Sequence, residues 1–230
     1  MGPEIDRPLS VWEEMFLPLA MREHVRELTI VDEDGRRMPL VLNEVELHAS
    51  SRPEEAAEAP FHLPWFLATG LALGGAFVLL GRASPRSRAA RIGFASLAAL
   101  WAAAIGVLGT IITALWAVTD HIVTYGNENI LQANPFALAL AVLVPALVAG
   151  REWARRPALR VARVVAGMAV FGFVIQALPG FDQVNGEIIA LILPVHIGLA
   201  VALERWGGGE AEAEAKGMKE GAREERISIP

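Results

Sequence analysis

The chain has 230 residues, 53% hydrophobic and 20% charged, with a mean hydropathy of +0.40, against an apolar share of about 45–50% in ordinary soluble domains. A formal net charge of −6 and a pI near 5.4 exclude a basic field for nucleic acid. The absence of cysteine excludes disulfides, thiolate metal sites, iron–sulfur ligation and a thiol nucleophile. What remains is an integral membrane protein.

The N-terminal residues look structured. Ser10 with Glu13 fits a capping box ahead of an apolar stripe of Trp12, Phe16 and Leu17, and Pro18 starts a second short amphipathic helix through Met21, Val25 and Leu28. LTIV, the turn DEDG and MPLVLNEVEL then alternate as a β-hairpin. Such a strand pair is marginal alone in water and needs a partner to pack on. Residues 50–61 form a polar, proline-bounded linker.

Five apolar runs follow, at about 63–80, 92–118, 134–150, 162–178 and 187–204. Each is read as a transmembrane helix, since about 20 apolar residues cross ~30 Å of hydrocarbon. The third is short, and Ala133, Asn134 and Pro135 can lengthen it. The fold class is therefore mainly α: a polytopic bundle of five transmembrane helices over residues 62–205, preceded by a small α+β segment of two short helices and a β-hairpin. The low-complexity tail, 206–230, is expected to be disordered or a frayed helix.

Arginine placement sets the orientation. The links after the first and third runs hold Arg82, Arg86, Arg88 and Arg91, and Arg151, Arg155, Arg156, Arg160 and Arg163, whereas those after the second and fourth hold no Lys or Arg. Arginine in short loops stays cytoplasmic, which puts the N-terminus outside and the C-terminus inside a bacterial inner membrane. An N-terminal segment of about sixty residues, acidic overall, must then be exported without a visible signal peptide. Either the first span acts as a reverse anchor or the chain is the C-terminal part of something longer.

Polar chemistry concentrates in the two outside loops. The first carries Asp120, His121, Asn127, Glu128 and Asn129 close to Asn134-Pro135; the second carries Asp182, Gln183 and Asn185. Together they can line one polar site, with His121 facing Glu128 or Asp182 across the loops as a general base or metal ligand. The competing reading makes Asp120, Asn127 and Asn134 helix caps and turn formers. No metal motif of the His-Glu-x-x-His kind, phosphate loop or nucleophile elbow is present, and no cofactor is implied. His196 lies near the middle of the fifth run, two residues after Pro194, where it must face the bundle interior, and Gln176 in the fourth run is its expected partner. Gly70-x-x-x-Gly74, continued by Gly75, marks close helix packing in the first run.

The succession DRPLSVWEEMFLPLAMREHVREL, a hairpin ending in PLV, a Pro/Glu linker, a membrane domain and a TDH(x5)NEN(x4)NP loop resembles the C-terminal half of Lnb-type proteins. The resemblance implies bacterial envelope proteins whose N-terminal periplasmic domain is similar to papain-like cysteine hydrolases, some of them N-acylating lipoproteins. It would make residues 1–49 the end of a periplasmic domain. The thiol-bearing part lies upstream of what is present, so no family catalytic residue is carried over.

Two functional classes stay open. One is a non-catalytic membrane module that docks a periplasmic acyltransferase or cysteine-hydrolase-like domain and presents lipid or lipoprotein substrate to it. The other is a stand-alone transporter or membrane hydrolase with its site in the outside loops. Membrane lipids are partners in both, and lipoproteins and a catalytic periplasmic domain in the first.

Overall fold

Charge-free runs of Ala, Leu, Ile and Gly can satisfy their backbone in a bilayer only by hydrogen bonding along a helix. The computed structural model of the protein bears this out for the larger part of the chain. It describes residue 10 and residues 16–47, 61–120, 124–181 and 183–227, with side chains to 206. These fall into two compact units.

The smaller unit contains helix α1 (Pro18–Glu27), with proline in the first turn where its missing N–H costs nothing. Strands β1 (Thr29–Val31) and β2 (Arg37–Pro39) pair antiparallel with Ile30 opposite Met38. The Asp32 carboxylate closes the turn by accepting from the N–H groups of Asp34 and Arg36 at 3.0 and 2.7 Å, and Gly35 supplies φ +80°. The second strand ends earlier than MPLVLNEVEL suggests, because β1 follows α1 directly and leaves no backbone opposite residues 41–47. Arg26 donates to both carboxylate oxygens of Glu44, at 2.6 and 2.7 Å, and to Glu23 at 2.7 Å. These bonds hold both carboxyl groups below the usual carboxylate range. The expected first helix, with the Ser10–Glu13 capping box and Trp12, and most of the linker lie outside the described residues.

The larger unit holds α2 (Leu63–Ala83), α3 (Arg88–Val118), α4 (Ala137–Val148), α5 (Glu152–Val174) and α6 (Gly186–Ile227). In turn α2 packs on α3, α3 on α4, α4 on α5, α5 on α6 and α6 on α2, so the five helices close a ring. Its core is built from Phe77, Phe94, Leu140, Val144, Val195 and Leu199, with many alanines between them. Leu71, Leu79, Leu100, Val142, Phe171 and Phe173 point outward, the pattern of a bundle whose solvent is lipid.

Small residues let the helices touch. A Cβ on Gly70 would collide with the Ala190 and Leu191 carbonyls, and one on Gly74 with the Pro194 carbonyl. Gly198 lies against Gly74 in turn. Pro194 has no N–H to offer the Ala190 carbonyl, one turn back, and Gly70 packs against that freed oxygen. The Gly70-x-x-x-Gly74 spacing is thus the α2–α6 contact.

Four helices are long and apolar enough to cross a membrane: Leu63–Ala83, Arg88–Val118, Glu152–Ala177 and Gly186–Trp206. The third apolar run is not a full-length helix. Residues 134–136 precede α4 as a turn, which leaves twelve helical residues. A second difference is the start of α5, ten residues before the apolar run. Ala, Arg and Leu are good helix formers, so the arginine-rich link is itself helical despite Pro157. Beyond Trp206, α6 continues through Ile227, where Ala, Glu, Lys and Arg outweigh scattered glycines.

Candidate functional site

From Asn127 onward, the polar residues of the loop between α3 and α4 do not stay at the surface. Asn127 begins the descent, capping a 3-10 turn over Glu128–Leu131 by accepting from the Asn129 N–H at 3.0 Å. Glu128 and Asn129 are buried, Gln132 is 1% exposed and Asn134 fully buried. Glycines make room for the segment: a Cβ on Gly172 of α5 would stand 2.8 Å from Leu131 Cβ and 2.9 Å from Gln132 Nε2. On α3, Gly109 faces the backbone of Ala133 and Asn134, and Gly106 faces Leu138. Gly109 lies nine residues before the α3 terminus at Val118, which places Asn134 roughly 14 Å below that end at 1.5 Å per residue. The loop therefore re-enters the bundle.

Non-helical backbone at that depth must find partners inside the protein, and the polar side chains supply them. Gln183, from the loop between α5 and α6, accepts from the Glu128 N–H at 2.9 Å, and its amide lies 3.4 Å from Asn127 Oδ1. Gln132 donates through Nε2 to the Ala169 carbonyl of α5 at 2.9 Å. His196 of α6 places Nε2 3.1 Å from the Gln132 carbonyl, the geometry of a ring N–H donating to it. Trp101 of α3 stands edge-on to that imidazole with ring centroids 6.1 Å apart. Near the mouth of the bundle, Glu187 in the first turn of α6 accepts from the His62 N–H at 2.9 Å, tying the α2 and α6 starts together.

Glu128 and Gln176 are joined by a 2.5 Å hydrogen bond from the Gln176 amide to the carboxylate. Gln176 is thus the partner of Glu128 and not of His196, because α5 tightens into a 3-10 turn over Ile175–Ala177 that carries it to the level of the descending loop. Asn127, Glu128, Asn129 and Gln183 lie together, and Asn185 is buried two residues beyond Gln183. Asp120 is exposed just past the α3 cap and takes no part. His121 and Asp182 lie outside the described residues.

Gln132 and Asn134 are the members sequence reasoning left out of the site. Their signal is an Asn/Gln-rich stretch directly before Pro135 and an apolar run too short to cross. Several buried polar atoms have no hydrogen-bond partner among the described residues: Asn129 Oδ1, Gln132 Oε1, both amide atoms of Asn134, Asn185 Oδ1, His196 Nδ1 and Trp101 Nε1. Among the described residues no group of three or more His, Cys, Asp or Glu side chains is placed to hold a metal.

A ring of five helices, one of them short, is joined by a loop that folds back between its neighbours. Residues 60–203 match the family of the Lnb transmembrane domain, a designation that specifies five transmembrane helices. The chain belongs to that family. The match covers more than half of the chain and contains both the re-entrant loop and every helix of the ring up to Leu203. Comparison with curated proteins and with solved structures finds no match. The protein is thus a multi-pass membrane protein whose membrane region is that of Lnb-like proteins, and the resemblance drawn from the NEN loop and the spans holds for that region.

Proposed function

We propose that this chain is the non-catalytic membrane module of an Lnb-like envelope protein. It anchors a periplasmic catalytic domain at the outer face of a bacterial inner membrane and presents diacylated lipid or lipoprotein to it. The observation that carries this reading is the use made of the outer-loop polar groups. Glu128, Asn127, Gln183, Gln132 and His196 are engaged with one another or with backbone, so they build a fixed platform between helix ends. A chain without cysteine forms no thioester, so acyl transfer through a thiol has to be supplied by another domain.

The same geometry supports a fifth crossing. Twelve residues of α4 rise about 18 Å, and the roughly 14 Å descent of the loop before it brings the total to about 32 Å, close to the ~30 Å hydrocarbon thickness. The arginine-bearing links then face the cytoplasm, with the N-terminus outside and the C-terminus inside.

Acyl transfer to a synthetic diacylated lipopeptide tests the module reading. The purified chain in liposomes is expected to transfer nothing alone, and to raise the rate of a separately expressed, cysteine-bearing Lnb-type catalytic domain. Transfer by the chain alone, abolished by Glu128→Gln, overturns it in favour of a self-contained enzyme.

A further inference from the structure

At the end of the bundle opposite the re-entrant loop, the α2–α3 and α4–α5 corners and the α6 segment at Arg205 enclose a cleft of about 500 Å³, within the roughly 300–1,000 Å³ typical of ligand clefts. Five arginines line it, Arg82, Arg91, Arg151, Arg155 and Arg205, against a single carboxylate, Glu152. We propose that this cleft binds a phosphate group, carried by an anionic phospholipid or by a soluble phosphate ester.

Arginine at membrane links has a general cause, since it fixes orientation. That cause does not require arginines from three separate parts of the chain to converge on one cavity. Nor does it explain their position along the helices. Arg91 sits in the first turn of α3 and Arg151 is the N-cap of α5, where the helix dipole already presents positive charge and a cation is unfavourable. No side chain caps the α5 N-terminus. No ion pair joins Arg82, Arg91, Arg151 or Arg205 to a carboxylate among the described residues. A bound phosphate answers all three conditions: it accepts from guanidinium forks, it neutralises the clustered charge, and it suits the open N–H groups of α5.

The walls fit a group held at a membrane surface. Gly150 ends α4 at φ +79°, its N–H bonding to the Leu147 carbonyl and the Arg151 N–H to the Ala146 carbonyl, so α5 starts at once and its first turn faces the cleft. Leu147 and Val148 add an apolar side, and Trp206, stacked on Phe94 at 5.2 Å, closes another. Basic pockets between transmembrane helices at the cytoplasmic side are a recurrent form of lipid-headgroup site.

The test compares the full chain with two double variants of equal charge loss. Arg91→Gln/Arg151→Gln removes two cleft arginines, and Arg86→Gln/Arg88→Gln removes two exposed ones that do not line it. Retention of phosphatidylglycerol against phosphatidylcholine is read by native mass spectrometry, and thermal stabilisation by inorganic phosphate and glycerol phosphate is measured in neutral detergent. Preferential phosphatidylglycerol binding, weakened about tenfold or more in the cleft variant and unchanged in the control, supports the proposal with a lipid source. Stabilisation by the soluble phosphates alone, with the same dependence on the cleft arginines, supports it with a soluble source. Equal losses in both variants overturn it, as does a wild-type chain that neither prefers phosphatidylglycerol to phosphatidylcholine nor is stabilised more by the soluble phosphates than by chloride. The lipopeptide assay reads the other end of the bundle, so failure here leaves the module reading standing.

Discussion

Glu128 is a buried carboxylate with an amide donor on one oxygen and a backbone N–H held by its neighbour Gln183. Its weight in the fold is therefore that of a hydrogen-bond acceptor. Glu128→Gln keeps an acceptor at the same place and is expected to cost about 1 kcal/mol, while Glu128→Leu strands the Gln176 amide and costs about 1–3 kcal/mol. Thermal unfolding in detergent checks both; a Gln variant as damaged as the Leu variant would show that the charge itself matters. The glycines make a sharper pair. Gly74→Ala puts a methyl into the Pro194 carbonyl and is expected to destabilise by roughly 1–3 kcal/mol, whereas Gly75→Ala meets nothing within 4 Å and is neutral or slightly stabilising. If both behaved alike, the α2–α6 contact would not be where the structure places it. The glycine spacing was readable in the chain because helix periodicity puts positions 70 and 74 on one face. Which group the Gln176 amide would meet was not readable, because its register depends on the 3-10 turn that ends α5.

The long helices were legible as elements because each carries a charge-free run of membrane length. The end of α4 nearest the loop was not. An Asn-Pro step before an apolar run reads as a helix start, and only the depth of Gly106, Gly109 and Gly172 shows that the chain is already inside the bundle when α4 begins. Polar residues in that loop looked like chemistry for the same reason that they serve as packing: both need groups that hydrogen-bond away from water. In the smaller unit, the join between α1 and the segment after β2 rests on Arg26 and Glu44. With the folded carboxyl below its ordinary value, this contact contributes at pH above the ordinary carboxylate range and is lost as pH falls through the lowered value. The Glu44 side-chain ¹³C resonance is expected to titrate below the usual range and to move back up in Arg26→Gln. A Glu44 that titrates normally in the wild type removes the contact from the solution structure.

For the molecule as a whole, the number of crossings decides on which sides of the membrane the two ends lie. Four long helices alone would return the chain to its starting side, whereas a fifth crossing by the re-entrant loop and α4 leaves the two ends on opposite sides. The arginine links argue for five, since α4 has to separate Asp120 from Ala149 if both links are to lie on one side. Single cysteines in this cysteine-free chain read the difference directly, provided they sit at exposed positions; Ser84 and Gln132 are buried and would report only burial. Ala83, Ala149, Asp120 and Val184 are exposed. In intact spheroplasts an impermeant thiol reagent is expected to label Asp120→Cys and Val184→Cys and to leave Ala83→Cys and Ala149→Cys protected until the membrane is opened. Labelling of Ala149→Cys together with Asp120→Cys would place both ends of α4 on one side and reduce the crossings to four. Labelling of Ala83→Cys and Ala149→Cys, with the other two protected, would invert the bundle and move the platform of polar loops away from any periplasmic domain.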